Sequence, residues 1–189
     1  MKAKTLLAIA FVALLAMCCK KEEESISDFI VNDYENSLIL NLNRDGVFRW
    51  NDTVYIDVDN DNEDDIMVTL SQSSAGSPWK KFYPLSTAIS IAGLNTNDTL
   101  SYGDLINDKM PWENEESGEN WYWLIGNDCP DNLYIAFKKE TSTTVNYGWI
   151  LPIVVPTENP ELPSNQTLTI KKTAYCTTSG KVIYAGQEE

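Results

Sequence analysis

Val54-Tyr55-Ile56-Asp57-Val58-Asp59-Asn60-Asp61-Asn62-Glu63-Asp64-Asp65-Ile66-Met67-Val68 reads as two β-strands joined by an acidic turn. Val54, Ile56 and Val58 recur at every second place, as do Ile66, Val68 and Leu70. Successive side chains of a strand point to opposite faces, so pairing Thr53–Val58 with Ile66–Leu70 lets both apolar sets face one core. Between the strands, six carboxylates fall within the nine residues 57–65. Their mutual repulsion is unfavourable unless a cation neutralises it. Calcium takes six to eight oxygens at roughly 2.3–2.6 Å. A tight loop can wrap it with side chains at its first, third, fifth and ninth places, here Asp57, Asp59, Asp61 and Asp65, and with the Glu63 carbonyl at the seventh. Asn62 holds the sixth place, where a left-handed residue is needed and Asn is the best substitute for Gly. The expectation is one Ca²⁺ in a structural role, because such a loop spends its ligands on the ion and leaves few positions open. The competing description is a solvated acidic turn.

The loop is not an EF-hand, which needs Glu at its twelfth place, where this chain has Val68. It resembles instead the shorter Asp-x-Asp-x-Asp-Gly-x-x-Asp loops of FG-GAP and thrombospondin type 3 repeats, which sit between two strands and hold calcium.

Outward from the hairpin the texture stays that of a β protein, with short alternating runs separated by Asn, Asp, Gly and Pro. Ser37–Asn43 alternates Leu38, Leu40 and Leu42 against Ile39 and Asn41, and Asp45-Gly46 marks a turn before Val47–Trp50. Thr87–Ala92, Leu133–Lys138, Val145–Val155 and Thr167–Tyr175 read as further strands, and Lys181–Ala185 as a last edge strand. A short helix is expected near Tyr102–Asn107. Residues 108–132 read as a long loop, or as a loop with a short strand at Trp121–Ile125. The fold class is all-β, a single jelly-roll-like β-sandwich over residues 28–189.

Tyr134-Ile135-Ala136-Phe137, Tyr147-Gly148-Trp149-Ile150, Ala174-Tyr175, Gly180-Lys181-Val182-Ile183 and Ala185-Gly186 follow one another downstream of the Asp-rich hairpin. In that order they resemble a group of exported bacterial β-domain proteins with a "YIGF…HYGW…AYE…G…I.AG" series. This chain has Asn146 where His is common. The resemblance implies an exported β-domain and no particular reaction.

The amino-terminal residues read as an export leader. Lys2 and Lys4 precede an apolar run, Thr5–Met17, of 13 residues, too short to span a hydrocarbon core of ~30 Å but right for a signal peptide. Leu15-Ala16-Met17-Cys18 resembles the lipobox of bacterial lipoproteins, with Met17 where a smaller residue is usual. This implies cleavage after residue 17 and acylation of Cys18, with Cys19 the alternative acceptor. Residues 18–27 then form a charged tether, whose Lys20-Lys21-Glu22-Glu23-Glu24 resembles the signal that sends Bacteroidota lipoproteins to the cell surface. An outer-membrane lipoprotein on the cell surface is expected, with the periplasmic face as the other location.

The net charge of −14 becomes −16 once residues 1–17, carrying two lysines and no acid, are removed. Such a domain is repelled by nucleic acid, whose binding depends on Lys and Arg. Cys129 and Cys176 can close a disulfide in an oxidising compartment or remain two buried thiols.

The chain has no His, which removes Ser-His-Asp and Cys-His nucleophiles and His-ligated metals. No Gly-rich phosphate motif occurs. A carboxylate pair of the glycosidase kind remains compatible with the composition, yet no pair stands out among 28 acidic residues. A non-enzymatic binding, adhesion or envelope role is therefore expected, with a carbohydrate-binding module as the alternative. Trp112, Trp121 and Trp123, among Glu113, Asn114, Glu115 and Asn120, form the candidate sugar platform. The alternation of Trp121 and Trp123 also fits a strand whose indoles fill the core.

Overall fold

The computed structural model describes residues 27–41, 52–72, 78–92, 100–113, 124–125, 133–156 and 166–189. The leader, Cys18, Cys19, most of the tether, Cys129, Trp121 and Trp123 lie outside the described residues. Among the described residues twelve strands follow one another: β1 (Phe29–Asn41), β2 (Asp52–Ile56), β3 (Ile66–Gln72), β4 (Pro78–Pro84), β5 (Ile89–Ala92), β6 (Leu105–Ile106), β7 (Trp112–Glu113), β8 (Leu124–Ile125), β9 (Ile135–Glu140), β10 (Val145–Pro156), β11 (Gln166–Cys176) and β12 (Ile183–Tyr184). All pairings are antiparallel.

One sheet has the order β1-β11-β10-β9-β5-β7, a second β2-β3-β4-β8, and β12 pairs with β6. The two larger sheets enclose a mostly aliphatic core. Ile56, Val58, Ile66, Val68, Leu70 and Phe82 come from the smaller sheet and the acidic loop, and Leu40, Ile91, Ile135, Phe137, Ile150 and Ile170 from the larger. The expected all-β sandwich is what the chain forms, and the hairpin faces it as its alternation requires. Asp52–Ile56 pairs with Ile66–Leu70 in register.

The larger sheet buries its other face too. Ala136, Tyr147, Trp149 and Ala174 alternate with the residues of the first core and pack under Ile106, Ile183 and Ala185. Trp149 is buried there, with its Nε1–H donating to the Gln187 carbonyl at 2.9 Å. Gly148 explains itself by close approach: a Cβ there would collide with the Phe137 ring and the Ala174 carbonyl. Pro152 interrupts β10 where pairing with β9 has ended, so its missing N–H costs no ladder bond on that side.

The expected helix near Tyr102–Asn107 is instead a turn followed by β6. Gly103 has φ +88°, the Ser101 N–H donates to the Asp104 carboxylate at 2.7 Å, and Ile106 alternates inward from exposed Leu105. A left-handed glycine and a side-chain-capped turn break a helix before it starts. Besides β6, the sequence reading lacked β4, β7 and the first half of β1.

Candidate metal centre

The residues 57–65 link β2 to β3 at one end of the sandwich, and their shape follows from local bonds. Asp57 turns its carboxylate back into the loop, where Oδ2 accepts the Asn62 N–H at 2.8 Å and Oδ1 the Asp61 N–H at 3.3 Å. Asp61 Oδ1 accepts the Glu63 N–H at 2.8 Å. Asn60 and Asn62 take φ of +60° and +70°, the left-handed region where Asn is the most tolerated residue after Gly. The left-handed turn expected at Asn62 is present, and Asn60 provides a second. Asn32 of β1 holds the loop from one side: its Nδ2–H donates to the Asp57 carbonyl at 3.4 Å, and its Oδ1 accepts from Asn60 at 3.1 Å.

Within this turn Asp57, Asp59 and Asp61 each offer a carboxylate oxygen, and these oxygens lie within 4.8 Å of one another. Oxygens bound at 2.3–2.6 Å around one calcium ion are at most about 5 Å apart. Such a group can hold a metal ion. Of the five residues predicted from spacing, these three are brought together. Glu63, expected to ligate through its carbonyl, has an exposed side chain, and Asp65 is buried.

Asp65 is held from two directions. Its Oδ2 accepts the Val58 N–H at 3.0 Å, and its Oδ1 meets Lys139 Nζ at 2.9 Å. Burial pushes its carboxyl above the usual range, against the lowering effect of both partners. The same ammonium reaches Asp59 Oδ2 at 2.7 Å and Asp61 Oδ2 at 3.2 Å. Burial alone would lower Lys139, but the carboxylates, Asp59 foremost, outweigh it and hold the ammonium above its ordinary value. In contrast, the Asp61 carboxyl is lowered, first by the Glu63 N–H and then by Lys139. Below the cluster, burial and then the charge of Asp59 push the Tyr175 phenol up to about 12.

Lys139 was missed from the sequence, although a signal existed. Ile135 and Phe137 alternate inward along β9, so the next inward place is Lys139. A lysine on a core-facing register at a strand end needs an acidic partner. Only the fold shows that the partner is the tip of a hairpin in the opposite sheet.

One ammonium facing four nearby carboxylates leaves the cluster acidic. Asp59 Oδ1 is buried and has no hydrogen-bond partner. A buried carboxylate oxygen without a donor is costly, and a cation seated against Asp57, Asp59 and Asp61 would supply what it lacks. The donor set is hard oxygen throughout, which suits a divalent ion of the calcium kind and not a soft transition metal.

The remaining predicted residues are elsewhere. Trp112 stacks on Tyr147 with ring centroids 5.8 Å apart, and its Nε1–H donates to the Asn107 carbonyl at 3.0 Å. One face of that indole is therefore covered, and Lys138 Nζ lies 5.8 Å from its ring. Cys176 is a buried free thiol, raised by burial, whose Sγ–H points to the Thr178 carbonyl at 3.8 Å. Its partner in the disulfide alternative, Cys129, is outside the described residues. No helix among the described residues is long and apolar enough to cross a membrane.

No protein-family model, no curated protein and no solved structure matches this chain.

Proposed function

We propose that this chain is an exported lipoprotein, held to the outer membrane through acylated Cys18, whose non-enzymatic β-sandwich uses one structural Ca²⁺ and serves binding, adhesion or an envelope role at the cell surface. The observation that carries the calcium part is the convergence of Asp57, Asp59 and Asp61 around a buried, unpartnered Asp59 Oδ1. Asp57, Asp59 and Asp61 would hold the ion. The ion would supply the positive charge that Lys139 provides only in part.

A ligand that binds the folded state alone stabilises it by RT ln(1 + [L]/Kd), about 2.7 kcal/mol at a hundredfold excess over Kd. Calcium is therefore expected to raise the melting temperature, and Asp59→Ala combined with Asp61→Ala to remove the rise. Identical melting curves with calcium and with EDTA would overturn the metal reading. The anchor is tested separately, by mass spectrometry of the membrane-extracted protein. Acyl mass on a peptide beginning at Cys18 is expected, and a mature terminus elsewhere overturns it. The absence of His and of phosphate-binding glycine motifs supports a role without catalysis.

A further inference from the structure

The outer face of the six-stranded sheet is roofed by β6 and β12. The inward residues of that pair, Ile106 and Ile183, are fully buried, whereas the outward Leu105 and Tyr184, opposite one another across the pair, are 45% and 50% exposed. Val182 stands two places before Tyr184 and is also exposed, and Tyr102, 73% exposed, lays its ring against Gly186. Eight large hydrophobic side chains are exposed among the described residues, and four of them belong to this roof. Scattered singly, such residues need no explanation; gathered on one surface they mark an interaction site.

The chain enters the fold beside the same roof. The Asp28 carboxylate meets Lys181 Nζ at 2.7 Å and accepts from the Thr178 hydroxyl at 2.8 Å, while the Asp28 carbonyl accepts the Thr177 N–H at 2.7 Å. Lys181 directly precedes Val182. Nine residues, Cys19–Ser27, separate this point from Cys18. Fully extended they reach about 30 Å, the width of a small domain. A lipid on Cys18 would therefore keep the roof within a domain's width of the bilayer.

We propose that Tyr102, Leu105, Val182 and Tyr184 form a membrane-facing surface that rests in the headgroup layer of the bilayer holding the acyl chains. The inference rests on the anchored reading above. Tyrosines suit that layer because the ring is apolar and the hydroxyl stays wet. The domain's charge of −16 without the leader opposes an anionic surface, so the occupant is a zwitterionic headgroup layer met through apolar contact. Four side chains would not hold a free domain on a membrane. Tethering makes the second contact intramolecular and lets a weak surface suffice.

The test uses the full-length lipidated protein in phosphatidylcholine vesicles, read by hydrogen–deuterium exchange. The unlipidated Cys18→Ala/Cys19→Ala chain in solution provides the reference. Exchange is expected to slow several-fold in peptides covering 100–107 and 181–186 and to stay unchanged in β2 and β4. Leu105→Asp with Tyr184→Asp should cancel the slowing while the protein still floats with vesicles and melts as before. Should the variant fail to fold, Tyr102→Ser, at a turn, provides the same reading with a partial loss. Floating protein whose exchange matches the reference overturns the membrane face and leaves the anchor standing. Protein that does not float, with no acyl mass at Cys18, overturns the anchor itself and the membrane face with it. Protection that fades as protein is diluted within the vesicles assigns the face to a second copy of the chain, and also overturns the proposal.

Discussion

Two hairpin tips lie near one another at the same end of the sandwich, and they solve the same problem differently. The β9–β10 turn spans residues 141–144, Thr-Ser-Thr-Thr, and carries no charge. It closes on itself: the Thr141 N–H donates to the Thr144 carbonyl at 2.9 Å, and the Thr141 and Thr144 hydroxyls meet at 2.8 Å. The β2–β3 tip spends nine residues on the same reversal, places two Asn in the left-handed region, and gathers carboxylates that its own N–H groups satisfy only in part. Its length, strain and charge exceed what a reversal needs, and its Asp57, Asp59 and Asp61 could hold a metal ion. The two tips are also linked, because the lysine that enters the acidic cluster is on β9, two residues before the neutral turn.

Deleting that lysine's charge should break the contrast most strongly. Lys139→Met keeps the apolar stem but leaves Asp65 and Asp59 facing each other without the ammonium's counter-charge. Breaking a buried ion pair costs ~3–5 kcal/mol, and with Lys139 and Asp59 partly exposed about 2–3 kcal/mol is expected in urea unfolding. Calcium should recover more stability in this variant than in the parent, because ion and ammonium draw on Asp59 and Asp61 alike. A variant as stable as its parent would show that the acidic tip needs no cation from the chain.

The same pair of tips shows where sequence reading succeeds. Alternation in Val54–Val58 and Ile66–Leu70 specified the hairpin, its register and its inward face, because period two leaves a core-facing strand little freedom to slip. Asn62 was legible for a local reason, its tolerance of positive φ. The convergence of Asp57, Asp59 and Asp61 followed from spacing alone, whereas the diversion of Asp65 to Lys139 depended on a residue 74 positions away in sequence. β4 escaped notice because Pro78 and Pro84 bracket it and Lys80 occupies an inward place, fully buried. The first half of β1 was hidden by Asn32, Asp33 and Glu35, which disturb alternation around the bulge between Asp33 and Leu38. In each case tertiary context overrode local preference.

Smaller substitutions sharpen the contrast between the tips. Asn62→Ala forces a Cβ-bearing residue without a polar side chain to stay left-handed, at a cost of about 1 kcal/mol. Addition of calcium should magnify the loss, since the unbound loop can relax and the bound one cannot. Thr141→Ala removes the acceptor of the Thr143 and Thr144 N–H groups, which can turn to water instead. A loss of about 0.5 kcal/mol is expected, independent of calcium. A calcium-dependent loss at Thr141 would mean that the neutral tip also belongs to the cation site.

The smallest effect concerns an ion pair with the chemistry of Lys139–Asp59 but without its burial. Asp28 and Lys181 meet at 2.7 Å in solvent. The Asp28 carboxyl is lowered first by its bond from Lys181 and next by that from Thr178, and Lys181 is raised first by Asp28. A carboxyl whose folded value lies below its unfolded 3.8 contributes stability that is present above that pH and lost as pH falls through the folded value. For Lys181 the sign reverses, with stability present below 10.5 and lost as pH rises past its raised value. Asp28→Asn should therefore lower stability slightly between pH 3.8 and 10.5, by the small amount typical of solvent-screened pairs, and flatten the profile by that same amount below and above this window. Thermal melts across pH would read this directly. A loss at neutral pH as large as that of Lys139→Met would show that burial is not what separates the two clusters, and the cation-centred account of the acidic tip would lose its physical basis.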